Sequence, residues 1–192
     1  MNKFNYAKWS AIIAAFFFLI FSTLQLLAFA ISQRAIQPSQ SAILEFVVQN
    51  FKMLNLISVS FLLLANICIY FSFSKFFKQR NQKLTKYLSL ILLLANVVWV
   101  LSVIGVWFPA LASVWLSQKT ARILFALAMI LFGASILVYK ENRQHTLLAL
   151  GPMCILQGLF SLLALVTIVQ ISELTLAINI LQAAFFAHEQ KK

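Results

Sequence analysis

Chemistry needs ionisable or nucleophilic side chains at workable spacing, and inside a membrane it needs them within the spans. This chain has no Asp, and its four Glu residues stand at 45, 141, 173 and 189. Each falls in a loop, a surface segment or a helix end. No HExxH, GxSxG or paired-Glu motif occurs, so metal-assisted hydrolysis and acyl transfer have no carriers. No acidic relay crosses the apolar runs, which argues against a proton-coupled pump. His145 and His188 lie in a loop and in the tail, where solvated histidine is the plain reading. Cys68 and Cys154 form no CxxC or metal spacing, and both fall inside apolar runs as packed thiols. The expectation is a protein that is not an enzyme and holds no metal or cofactor.

The polar groups left inside the apolar runs are amides: Asn66, Asn96, Gln157, Asn179 and Gln182. Such groups act as helix-to-helix glue, worth about 0.6 kcal/mol each on average, or they converge on a ligand as a polar lining. Leu62-Leu63-Leu64-Ala65-Asn66 recurs 30 residues later as Leu92-Leu93-Leu94-Ala95-Asn96. Asn66 and Asn96 are each 15 residues from Asn81. In an antiparallel hairpin turning near Asn81 they share one depth. They then bond each other, or each finds a different helix or a backbone carbonyl. Ala11/Ala15 and Ala183/Ala187 are small-xxx-small pairs that permit close helix contact.

These amides sit in a chain of 192 residues that is 62% hydrophobic and 10% charged. A water-soluble domain of this size has too little interior for so much apolar surface. Gly and Pro number only four and three, so the apolar runs are long, unlike the alternating segments of about ten residues in a membrane barrel. An all-α membrane protein follows, one integral domain with six transmembrane helices and an outer-face amphipathic helix. The expected spans are 9–31, 53–74, 87–107, 120–139, 151–171 and 173–188, with the amphipathic helix at 39–52. Its apolar positions 43, 44, 47, 48, 51 and 54 follow the helical period, with Phe46 the exception. Ile43, Val47 and Phe51 should face lipid or bundle, and Glu45, Gln49 and Lys52 water. The fifth span starts near Thr146 or at Gly151-Pro152, since Pro suits a first helical turn. The last segment is short, so five spans plus a C-terminal interfacial helix is the alternative. Residues 110–118 read as an interfacial connection and 140–145 as a polar loop.

Orientation rests on the stretch Lys75 to Lys86, KFFKQRNQKLTK, read as a short basic loop with five Lys or Arg and no acid. With both termini cytoplasmic, eleven basic residues lie inside: Lys3, Lys8, Lys75, Lys78, Arg80, Lys83, Lys86, Lys140, Arg143, Lys191 and Lys192. Four lie outside: Arg34, Lys52, Lys119 and Arg122. That bias obeys the positive-inside rule. Tyr6, Trp9, Tyr70, Tyr87 and Tyr139 fall at the inner boundary and Trp107 and Trp115 at the outer, as aromatic belts do; only Trp99 sits mid-span. The net charge of +11 is thus spent on topology rather than on nucleic acid.

The order of a first span, the amphipathic ILEFVVQNFKMLNLISVSFLL, the basic loop and FGASILVYKENRQHTLLALGPMCILQGLF resembles a group of bacterial six-helix membrane proteins of unknown function. That likeness is one of layout and implies a multi-pass bacterial inner-membrane protein. In size, span number and the Ala11/Ala15 pair the chain is also similar to the substrate-binding subunit of energy-coupling-factor vitamin transporters. That second likeness implies a small solute bound from outside. Two functions are therefore expected: a non-enzymatic inner-membrane protein acting through packing or partner contacts, or a transporter component binding a small solute from the outer side. The partners are the lipid bilayer and a membrane protein or small solute.

Overall fold

Sparse Gly and Pro and long runs of Leu, Ile, Phe and Ala give helices almost without interruption. The computed structural model describes residues 5–32, 41–107, 117–139, 145–163 and 168–189. Among these it has seven helices and no strands: α1 (Asn5–Ser32), α2 (Ala42–Gln49), α3 (Phe51–Gln79), α4 (Lys83–Trp107), α5 (Gln118–Val138), α6 (His145–Leu163) and α7 (Ile168–Glu189). The helices α1, α3, α4, α5 and α6 are each long and apolar enough to cross a membrane. This is the make-up of a multi-pass membrane protein. The 110–118 connection and the 140–145 loop fall, but for their last residues, outside the described residues.

The helices follow one another around a ring. α1 packs on α3, α3 on α4, α4 on α5, α5 on α6 and α6 on α7, and α7 closes against α1. Consecutive walls run antiparallel. Phe17 stacks on Phe61 with centroids 4.5 Å apart, while Gln25, further along α1, donates to Asn55, earlier in α3 (3.0 Å). Side chains of α3 fill the middle of the ring near the basic end.

The basic stretch differs from the expected loop. Helix α3 runs on to Gln79 and α4 begins at Lys83, so only residues 80–82 turn. The turn is a Schellman motif. Asn81 takes the left-handed conformation (φ 56), Gln82 N–H bonds Phe77 C=O (2.9 Å), and Asn81 N–H bonds Lys78 C=O (3.2 Å). Lys and Gln are good helix formers, so charge alone does not end a helix. At 29 residues α3 is about 43 Å long, more than a hydrocarbon core of about 30 Å. Its last turns can therefore carry charge beyond the lipid. Lys75 lies over Phe71 (4.5 Å), Arg80 over Phe76 (5.6 Å) and Lys86 over Tyr87 (4.8 Å). In each case the charged head itself lies over the ring, a cation–π contact at the helix end.

The amphipathic helix is shorter than 39–52. It stops at Gln49, and Asn50 makes the bend into α3 by donating from its side chain to Phe46 C=O (2.9 Å). None of its residues is buried. Glu45, Gln49 and Lys52 are exposed, Val47 and Phe51 are half-buried together with Leu44, and Ile43 is 75% exposed. Helix α6 starts at His145, in line with the Thr146 start rather than the Gly151-Pro152 one, and holds Pro152 in its interior with the ring exposed. An interior Pro is tolerated in membrane helices when neighbours re-satisfy the freed carbonyl. The sixth long helix, α7, begins at Ile168 rather than 173, and α6 is described as far as Leu163.

Two tyrosines expected at the interface lie in the core. Tyr70 is 5% exposed and Tyr139 6%, the latter edge-on to Phe77. Tyr6, Trp9 and Tyr87 do stay exposed, as belt residues would. Trp107 and Trp115 fall outside the described side chains. Trp99 stacks with Phe125 (6.0 Å) and meets Phe21 edge-on (6.5 Å), so the mid-span indole is packed between helices.

The backbones of α5 and α6 approach each other closely at their glycines. A Cβ on Gly133 would fall 2.5 Å from Gly151 O, and one on Gly158 would fall 2.6 Å from Ala126 O. On α1 the buried small residues are Ala7, Ala11 and Ala14, so Ala11 makes a close contact but Ala15 only partly joins it.

Candidate functional site

The five amides separate into two groups. Asn66 and Asn96 meet on α3 and α4. Asn66 Nδ2 donates to Asn96 Oδ1 at 3.4 Å, and both residues are buried. This is the direct pair that the repeat around Asn81 makes available. Ala65 and Ala95, both buried, stand beside it. In a double-mutant cycle, Asn66→Leu and Asn96→Leu should couple by roughly 0.5–2 kcal/mol. Strict additivity in reversible unfolding would remove the pair as a locking contact.

Gln157, Asn179 and Gln182 belong to the second group, on α6 and α7. Thr175, Asn179 and Gln182 are spaced four and three apart, so they share one face of α7. Cys154, Gln157 and Ser161 share one face of α6 in the same way. The two stripes meet where Gln157 Nε2 donates to Thr175 Oγ1 at 2.6 Å. Nearer the basic end, Gln182 on α7 and Cys154 on α6 both lie beside Tyr70 of α3. Tyr70 is one turn from Asn66 on α3, so it stands between the two groups.

Polar satisfaction is incomplete here. Gln157 Oε1, Asn179 Nδ2 and Gln182 Oε1 are buried with no hydrogen-bond partner. Their residues are 5%, 4% and 1% exposed. Each orphaned atom forfeits about 1–3 kcal/mol relative to a hydrogen-bonded state. Thr146 Oγ1 near the start of α6 and Ser22 Oγ on α1 are unpaired too, but the three amide atoms are grouped on facing stripes of α6 and α7, and buried polar groups are almost always paired.

Below Tyr70, towards the basic end, the interior is aromatic. Phe73 on α3 stacks on Phe185 (5.4 Å), tilts against Phe186 (4.8 Å) and meets Phe132 edge-on (5.7 Å). Phe77 and Phe76 continue the cluster. These rings close the basic end of the ring, and the polar stripes stop on them.

The pattern of amides and Leu repeats identified the amides themselves. It missed Tyr70, whose place at an apparent boundary hid its i, i+3, i+7 alignment with Phe73 and Phe77. It also missed Gln25 and Asn55, which bond across α1 and α3. Gly151 and Gly158, two turns apart, were the available signal for the α5–α6 approach. Among the described residues, no three His, Cys, Asp or Glu side chains group to hold a metal. Cys68 is half-buried and Cys154 buried, and both are free. His145 and His188 are exposed. No protein-family model, no curated protein and no solved structure matches this chain, so both resemblances rest on layout.

Proposed function

We propose that this chain is a non-enzymatic six-span protein of a bacterial inner membrane that takes a small solute into its helix ring from the outer side. Both termini and the turn at 80–82 lie on the cytoplasmic face in this reading. The observation that supports it is the set of orphaned amide atoms on Gln157, Asn179 and Gln182, which stop above an aromatic floor at the basic end. A bundle serving only as packing has no use for three unpaired polar atoms. Helix α7, at 22 residues, spans about 33 Å and serves as the sixth crossing.

A second reading, action through a membrane partner, draws on α2. It buries no residue, and Ile43 and Phe46 stand open beside the lipid-facing side of α3.

Cysteine labelling tests the first reading on a Cys68→Ser background. With Cys154→Ser added, the Lys83→Cys variant should react with an impermeant maleimide only when the cytoplasmic face is opened. Lys83 is exposed and helical, whereas Asn81 has a positive φ that disfavours cysteine. In separate membranes that keep Cys154 and Lys83, Cys154 should react with permeant N-ethylmaleimide, because maleimides need a thiolate and thiolates form only where water reaches. Reaction of Lys83→Cys from outside intact cells would reverse the topology. A Cys154 that reacts only after denaturation would refute solute access.

A further inference from the structure

The three orphaned atoms are sealed: each has under 1 Å² of accessible surface. The ring is therefore described in a closed form in which no water-sized space touches them. Parting α6 from α7 is the direct way to reach them, and among the described residues the α6–α7 seam is the least extensive around the ring. The amide orphans comprise two acceptors, Gln157 Oε1 and Gln182 Oε1, and one donor, Asn179 Nδ2. A primary carboxamide offers the complement, two N–H groups and one C=O. The stripes Cys154, Gln157, Ser161 and Thr175, Asn179, Gln182 carry no charge. An ionised guest would be left without a counter-charge in a low-dielectric interior.

We propose that the seam between α6, α7 and Tyr70 is a closed binding site that parts to take a small neutral molecule through a primary carboxamide group. Gln157 and Gln182 accept from the amide nitrogen, Asn179 donates to the amide oxygen, and Tyr70 and the phenylalanine floor receive the apolar body. This rests on the solute reading above and adds the chemical class. The closed form then carries a cost that the guest relieves. Removing that cost by mutation should make the empty protein more stable and deaf to the guest, the reverse of what a glue residue does.

The test uses benzamide and benzoate, which share a shape and differ in charge and donors, with the full chain in detergent. Benzamide at millimolar concentration should raise the melting temperature and slow N-ethylmaleimide reaction at Cys154, on the Cys68→Ser background, at least threefold. Benzoate should do neither. Asn179→Leu, which removes an unpaired donor without breaking a hydrogen bond, should raise the ligand-free melting temperature by about 2–4 °C and abolish the benzamide effect. Asn179→Met, a more flexible apolar replacement, repeats the comparison should the leucine variant fail to fold. If Cys154 reacts in the folded protein but benzamide neither protects nor stabilises, the carboxamide class is wrong and solute access stands. If Cys154 is inert until denaturation, the solute reading falls and the class with it. If the leucine and methionine variants melt lower, the amides are already satisfied by bound water, and the closed-site proposal is overturned.

Discussion

Gly158→Ala should destabilise the protein by about 1–3 kcal/mol, and Gly133→Ala by a similar amount. In most helices this change is favourable, because Ala exceeds Gly in helix propensity by about 1 kcal/mol. Two facts reverse the sign here. A membrane helix keeps its backbone bonds in lipid even when the bundle comes apart, so little of the propensity gain is collected. The added methyl also has nowhere to go. On Gly158 it would lie 2.5 Å from Ile130 Cγ1 and 2.6 Å from Ala126 O, and on Gly133 it would lie 2.5 Å from Gly151 O. A backbone oxygen cannot rotate away, so α5 and α6 would have to separate. Helix association in lipid depends on close packing rather than on a hydrophobic drive, which makes separation costly. Gly151 supplies the internal control. Its Cβ would meet Leu137 Cδ2 and Cγ at 3.0 Å, the far end of a flexible side chain, and Gly133 O at 3.1 Å. Gly151→Ala should therefore cost less than either neighbour. Reversible unfolding in mixed detergent gives all three values, and an order with Gly151→Ala as the most damaging would refute the close approach of α5 and α6.

What the chain discloses on its own follows from the physics of each signal. Helix type and position come from hydropathy and length, because a backbone in lipid has few alternatives to a helix. That is why α1, α3, α4 and α5 sit close to their expected spans. Helix ends are written less clearly. Lys75 and Lys78 look like loop residues, yet snorkelling lets a helix continue through them, and the stop is set by Asn81 in a left-handed conformation. Pro152 looks like a start, yet its ring faces outward and the helix passes through it. The Asn66–Asn96 pair was legible because two symmetric distances from one turn fix a common depth. The deficit at Gln157, Asn179 and Gln182 was not. A single apolar run names its polar residues, but only the packing of α6 on α7 and the arrival of Tyr70 from α3 decide which of their atoms find partners. The aromatic floor was hidden for the same reason, since its rings come from α3, α5 and α7.

Phe73→Ala should carry a cost as large as that of the glycine changes, and its size distinguishes packing from burial. Phe73 is fully buried and touches Phe77, Phe132, Phe185 and Phe186 with centroids 4.8 to 6.2 Å away. In a water-soluble core, Phe→Ala costs about 3–5 kcal/mol, part from transfer and part from the cavity. Here the separated helices remain in lipid, where a phenyl ring is already among hydrocarbon, so most of the transfer part falls away. The cavity part stays, at about 24 cal/mol per Å³. Losing a ring of roughly 100 Å³ then predicts about 2–3 kcal/mol. Phe73→Leu, which refills much of the space, should cost less than half as much. Phe46→Ala on the exposed face of α2 should cost almost nothing, since Phe46 is 59% exposed. Because Phe73 joins α3 to both α5 and α7, Phe73→Ala and Phe185→Ala should be non-additive, the second removing contacts the first has already lost. Equal costs for Phe73→Ala and Phe46→Ala in the same unfolding assay would show that the floor is not closed by these rings. The polar stripes on α6 and α7 would then open at both ends rather than stop at Tyr70.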